Sequence, residues 1–270
     1  MNGAFAVGSP ELFISALHYP WDTLDQAFER CGGELGLDGI ELSLHPSGRF
    51  PHIGPEHYEQ TAGLAAKHGL RLSAHIWDNL PKLGPDAGVC GLMGWLDAAR
   101  TMGIRYIVVH GGTHDDQAEG LRLVARILAD VAPAYEAAGV VLCLENHYAY
   151  THHDLHELFS TPEEFVPLFD AVASPSVRFC LDYGHSHMTR NTDELLARVG
   201  PHLAYTHLAD NHGVEDDHVA FGCGTVPWRQ ALTATHAAGY RGPFTIEFPV
   251  RSPDDTPFRQ CLALLRELFG

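Results

Sequence analysis

Residues 202–218 read HLAYTHLADNHGVEDDH. A short apolar run ends at His207 and passes into a loop of recurring Asp and His side chains, too polar to belong to a core. An apolar strand that terminates in an imidazole, followed by the Asp-x-His triplet of Asp216 and His218, suits a divalent cation. The same pattern recurs along the chain. SAHIW carries His75, IVVHGG His110, LCLENH Glu145, FCLDYGH Asp182 and His185, and FTIEF Glu247. Six apolar segments therefore end in groups that can ligate a metal.

Working outward from these segments, strands and helices alternate. Residues 12–17, 39–45, 70–76, 104–109, 140–144, 177–181, 202–206 and 244–248 read as strands. Between and after them come helical patterns: TLDQAFERC, residues 55–68 opened by Pro55 and closed by Gly69, 89–101 ended by Gly103, and the long amphipathic run 117–138. A polar, His-rich stretch, HYAYTHHDLHELFS, precedes a helix opened by Thr161 with Pro162 and Glu164, a capping-box pattern. The helices DELLARV, 227–238 and 256–268 complete the chain. Eight such alternations without a Pro/Gly/Ser linker predict a single (β/α)8 TIM barrel domain over residues 1–270.

Side-chain parity points the same way, because every second residue of a barrel strand faces the interior. Two positions before each candidate ligand stand Ser73, Val108, Cys143, Cys180, Tyr205 and Thr245, mostly small or medium groups that could fill a barrel. The candidates are then the last inward positions of their strands, at the C-terminal mouth where barrel active sites lie. An open doubly wound sheet would instead spread them along an edge.

Composition narrows the function. With 34 acidic and 17 basic residues the formal charge is -17, which repels phosphate backbones and makes nucleic acid a disfavoured partner. Lys67 and Lys82 are the only lysines, and neither is on a strand, so a Schiff-base mechanism has no candidate. The 6 cysteines show no CxxC spacing and read as reduced core residues of a cytoplasmic protein. The N-terminus has no basic start, and no stretch approaches the roughly 18 apolar residues of a membrane span. Homo-oligomerisation is left open.

Glu145, Asp182, His207 and Glu247 end four consecutive strands. Three carboxylates and one imidazole suit one divalent ion, Mn²⁺, Mg²⁺, Co²⁺ or Zn²⁺. Such an ion can hold two oxygens of a polyol or hydroxyketone and polarise the carbonyl, which acidifies the neighbouring carbon. Glu145 and Glu247 are the natural pair to remove and return its proton. Gly222 and Gly224 before Trp228 could form an anion-binding turn, Arg251 could meet a carboxylate or phosphate, and Trp21, Trp77, Tyr148, Phe221 and Phe248 could wall a substrate pocket.

In combination, LENH at Glu145, LDYGH at Asp182 to His185, THLADN at His207, DDHVAFGCGTVPW at 216–228 and TIEF at Glu247 resemble the sugar phosphate isomerase/epimerase superfamily with the xylose isomerase-like barrel. The resemblance implies that Glu145, Asp182, His207 and Glu247 bind one metal, that the two glutamates shuttle a proton on a small sugar or hydroxyketone, and that His185 contacts a substrate oxygen. The chain departs from the ketose epimerases, which carry an acid shortly after the strand-five glutamate and an arginine after the strand-seven histidine; here those regions read HYAYT and NHG. The ligand types also resemble endonuclease IV. In that reading up to three Zn²⁺ sit on His75, His110 and Glu145, on Glu145, Asp182, His207 and Glu247, and on His185, Asp216 and His218. A lyase that uses the same deprotonation to expel a β-substituent from an oxidised glycoside is the third alternative.

Overall fold

The computed structural model describes residues 10–18, 23–44, 53–148 and 156–270. Eight parallel strands close a barrel in sequence order: β1 Leu12–Ser15, β2 Gly39–Leu44, β3 Arg71–Ile76, β4 Tyr106–His110, β5 Val141–Glu145, β6 Val177–Asp182, β7 Leu203–Leu208 and β8 Phe244–Ile246. Closure excludes the open doubly wound sheet. Around it run α1 Leu24–Phe28, α2 Tyr58–His68, α3 Leu80–Met102, α4 Gln117–Ala138, α5 Pro162–Val172, α6 Tyr183–Thr189, α7 Thr192–Arg198, α8 Trp228–Ala237 and α9 Thr256–Phe269.

The barrel separates two cores, as side-chain parity requires. In β2, Ile40, Leu42 and Leu44 turn outward to the helix layer, whereas Glu41 and Ser43 alternate with them and are buried too. Val108, Cys143, Cys180 and Tyr205 form a small cluster of their own inside the barrel, apart from the large core between strands and helices. These are four of the six positions that parity assigns to the interior. A fifth, Ser73, is hydrogen-bonded through Oγ to the Tyr205 hydroxyl at 2.7 Å. Near the floor, Phe13 meets Tyr205 edge-on, with centroids 6.4 Å apart. Gly39 makes room for this ring: a Cβ there would stand 2.5 Å from Phe13 Cζ and 2.7 Å from the Arg71 carbonyl oxygen.

Local signals set most helix ends. Gly69, Gly103 and Gly139 adopt left-handed conformations just past α2, α3 and α4. The Thr161 capping box is formed, and Glu164 Oε2 accepts from the Ser160 and Thr161 amides at 2.6 and 3.1 Å. Two helices differ from expectation. The third begins at Leu80 rather than 89, because Asn79 caps the Lys82 amide and a first helical turn precedes a break at Gly84, where φ is 75°. The Gly84-Pro85 pair therefore interrupts a helix instead of preceding one. The short α6 was not anticipated: Asp182 ends β6 and also caps this helix, accepting from the His185 amide at 2.6 Å. Apolar periodicity gives no sign of it, since YGHSHMT has almost none.

A two-residue strand, Thr113–His114, pairs antiparallel with His156–Glu157 and ties the loops after β4 and β5 together. Of the cysteines, all of them free, Cys31, Cys143, Cys180 and Cys261 are buried as expected, but Cys90 and Cys223 are exposed. Among the described residues no helix is long and apolar enough to cross a membrane.

Candidate active site at the barrel mouth

The parallel register brings the strand-end residues to one level. His110 lies across from Glu145, and Asp182 across from His207. Glu247 follows β8 directly, and its amide continues the pairing by donating to Leu208 O at 3.1 Å. The consequence is convergence: Glu145, Asp182, His207 and Glu247 offer ligand atoms that all lie within 4.8 Å of one another, and all four residues are buried. His207 sits between the glutamates, its Nδ1 3.1 Å from Glu145 Oε1 and 3.4 Å from Glu247 Oε2.

Burying so many ionisable groups shifts them strongly. Burial raises Asp182 above the usual carboxylate range and pushes Glu247 up to about 8. Burial also opposes ionisation of Glu145, yet the His207 and His110 imidazoles outweigh it and hold this carboxyl well below its ordinary value. His207 is carried well above the ordinary histidine range: burial opposes the charge, but Glu247, Glu41 and Glu145 surround it. Burial keeps His75 well below that range.

The remaining candidates gather around this centre. His75, His110 and Glu145 form a second set of ligand atoms within 4.8 Å of one another, with the two imidazole Nε2 atoms 3.0 Å apart. The His185 ring is held between the Asn146 carbonyl, 2.9 Å from Nδ1, and Asp216, 3.2 Å from Nε2; Nδ1 is also 3.4 Å from Glu145 Oε1. Asp216 Oδ2 further meets His218 Nε2 at 3.3 Å, and His218 Nδ1 lies 2.8 Å from the Glu247 carbonyl. One carboxylate therefore clasps the β7–α8 loop to α6. Trp77 stacks on His75 with centroids 4.9 Å apart and donates to Ser43 Oγ, as a pocket wall would. Phe221 instead packs on Trp228, Phe248 is buried in the main core, and Arg251 is exposed. Trp21 lies outside the described residues, as does residue 45, the expected end of the second strand.

The glycine turn is also settled, but not by an external anion. Asp210, fully buried, takes five donors: the amides of Asn211 and Val226 on Oδ1 at 2.9 and 3.1 Å, and those of Gly222 and Gly224 with the Trp228 indole on Oδ2 at 2.9, 3.2 and 2.9 Å. The anion that the glycines bind is the protein's own. A Cβ on Gly224 would stand 2.2 Å from Asp210 Oδ1.

Sequence reasoning passed over Glu41. Its strand alternates, so parity does place it inward, but it lies two positions before the last inward residue, where the other strands carry packing groups. Glu41 Oε2 is 3.0 Å from His207 Nε2.

The donor set fits a divalent cation. Four carboxylates, Glu41, Glu145, Asp182 and Glu247, are buried together, and Asp182 Oδ2 and Glu41 Oε1 have no hydrogen-bond partner. Buried carboxylate oxygens without a partner cost free energy that a bound cation would offset.

A closed parallel barrel whose mouth gathers buried carboxylates and imidazoles defines the class of the fold and its candidate site. Residues 33–268 match the family described as the xylose isomerase-like TIM barrel, and the chain belongs to that family. MJ1311 of Methanocaldococcus jannaschii is 26% identical over 123 residues, 44% of this chain and 41% of the relative. The protein y4fM of Sinorhizobium fredii is 33% identical over 87 residues, 32% of this chain and 28% of the relative. The chain thus spans less than half the length of these two relatives. Among solved structures, a D-tagatose 3-epimerase-like protein has a TM-score of 0.77 at 18% identity, covering 96% of this chain and 98% of its own. The 3-keto-D-glucoside 4-epimerase YcjR of E. coli has a TM-score of 0.74 at 17% identity, covering 96% and 100%. At these identities the likeness establishes a shared fold.

Proposed function

We propose that the chain is a divalent-metal-dependent isomerase or epimerase that moves a proton next to the carbonyl of a small sugar, polyol or hydroxyketone. The observation that carries this reading is the placement of Glu145 and Glu247 on either side of His207, with Asp182 completing a buried ligand set. These four residues would hold the ion, which when bound supplies a Lewis acid for the substrate carbonyl and its neighbouring oxygen. Glu145 and Glu247 reach the pocket from separate strands, so one takes the proton and the other returns it on the opposite face. His185, held by Asn146 and Asp216 beside Glu145, positions a substrate oxygen. The structural neighbours named for tagatose and 3-keto-glucoside epimerisation support substrates with a carbonyl beside an epimerisable carbon. The missing acid and arginine favour a substrate other than a free ketose, and an oxidised glycoside meets that description.

The test is solvent exchange. Candidate hydroxyketones, ketoses and keto-glycosides are incubated in D2O with metal-loaded protein, and deuterium at the carbon next to the carbonyl is read by NMR. Incorporation in the wild type, lost by roughly 10²- to 10⁴-fold in Glu145→Gln and in Glu247→Gln, is expected. Full activity in the double variant would exclude the mechanism.

Two observations favour a second reading, a trinuclear zinc phosphodiesterase acting on abasic DNA. His75, His110 and Glu145 form a ligand set, and Asp216 lies against both His185 and His218. The charge of -17 weighs against a DNA partner. Metal content decides between them: one ion per chain accords with the isomerase, three Zn²⁺ with the nuclease.

A further inference from the structure

Glu41 adds to the buried negative charge of the site but is not one of the four proposed ligands; it is fully buried inside the barrel one layer beneath them. A carboxylate in such a place needs strong compensation. One of its oxygens, Oε2, is 3.0 Å from His207 Nε2, across 166 residues of sequence; the other, Oε1, has no hydrogen-bond partner and is 4.0 Å from His75 Nδ1. The other face of the His207 ring is directed at the ligand set, with Nδ1 3.1 Å from Glu145 Oε1.

We infer that Glu41 is a positioning residue for the metal centre, accepting a hydrogen bond from His207 Nε2–H so that the Nδ1 lone pair points at the ion. This role rests on the metal-dependent reading given above. The logic is that of a carboxylate behind a ligating imidazole: the hydrogen bond selects the tautomer, fixes the ring plane and raises the basicity of the nitrogen that ligates. Without it, nothing on that side fixes the ring, and His207 could turn Nε2 rather than Nδ1 toward the site. Glu41 also adds a fourth negative group beside the ligand set. The alternative is a structural role only, in which Glu41 merely fills the interior beside Ser73 and Tyr205.

The two roles differ in what they move. The full-length chain is stripped of metal and titrated with Co²⁺, with affinity read by chelator competition and ligand geometry by the visible absorption of the bound ion. Wild type, Glu41→Gln, Glu41→Leu and the ligand variant Asp182→Asn are compared, and each metal-free melting temperature is measured alongside. The positioning role predicts Co²⁺ binding weakened roughly 10- to 100-fold in Glu41→Gln, with an altered absorption band, while the metal-free protein melts no lower than wild type. A carboxylate with an unpartnered buried oxygen has then been neutralised. Glu41→Leu should lose at least as much affinity; should it fail to fold, Glu41→Gln alone carries the test. Co²⁺ affinity within twofold of wild type in Glu41→Gln, with wild-type binding intact and Asp182→Asn impaired, overturns the role of Glu41 alone. No Co²⁺ uptake by the wild type overturns the metal reading and this role with it.

Discussion

Replacing Asp210 by Ala should cost more stability than removing any other single carboxylate near the barrel mouth. The side chain is fully buried and satisfies five N–H groups that span residues 211–228. Three of these donors, the Asn211 and Val226 amides and the Trp228 indole, bond to it in fully buried surroundings that water does not reach. A buried donor left unsatisfied costs about 1–3 kcal/mol. Three of them sum to roughly 3–9 kcal/mol, and relaxation of the loop brings the expected loss to about 3–5 kcal/mol. At about 2–4 °C per kcal/mol for a chain of this size, the melting temperature should fall by roughly 6–20 °C. Asp210→Asn should recover little, because its amide would turn an N–H toward N–H donors. The assay is urea unfolding followed by tryptophan fluorescence, with calorimetry for the melting temperature. A loss below about 1 kcal/mol in Asp210→Ala would refute the view that this carboxylate, rather than apolar packing, holds the loop that carries Asp216 and His218.

Gly39→Ala should destabilise the barrel floor by about 1–3 kcal/mol, because the new methyl meets Phe13 and the Arg71 carbonyl at 2.5 and 2.7 Å; unchanged denaturant midpoints would contradict this. Tyr205→Phe leaves Ser73 Oγ without its 2.7 Å partner inside the barrel and should cost about 1–2 kcal/mol in urea unfolding. Divalent ions at 100 times their Kd should stabilise the wild type by about 2.7 kcal/mol and leave Asp182→Asn nearly unmoved; equal stabilisation of both would place the ion elsewhere. Thr161→Ala should lower stability by about 1 kcal/mol through loss of the α5 cap, again read from the denaturant midpoint.

The alternation of strands and helices was legible along the chain because its causes are local. Hydrophobic period, glycine after a helix and the Thr161 capping box each act over a few residues. Parity within a strand is local too. It sorted Val108, Cys143, Cys180 and Tyr205 into the barrel and placed Glu145, Asp182, His207 and Glu247 at its mouth. What stayed hidden depended on contacts that neither hydrophobic period nor strand parity reports. The partner of Gly222 and Gly224 looked like an outside anion, because nothing nearby identifies Asp210 as the acceptor. Glu41 looked like one more alternating residue of a strand. Only closure of the barrel sets it 3.0 Å from His207, because the register between strands and the stagger of the whole cylinder decide which inward groups share a layer. Residue type and parity thus define what chemistry the mouth can hold. The pairing of Glu41 with His207 and the clasp of Asp216 on His185 arise only when distant elements meet.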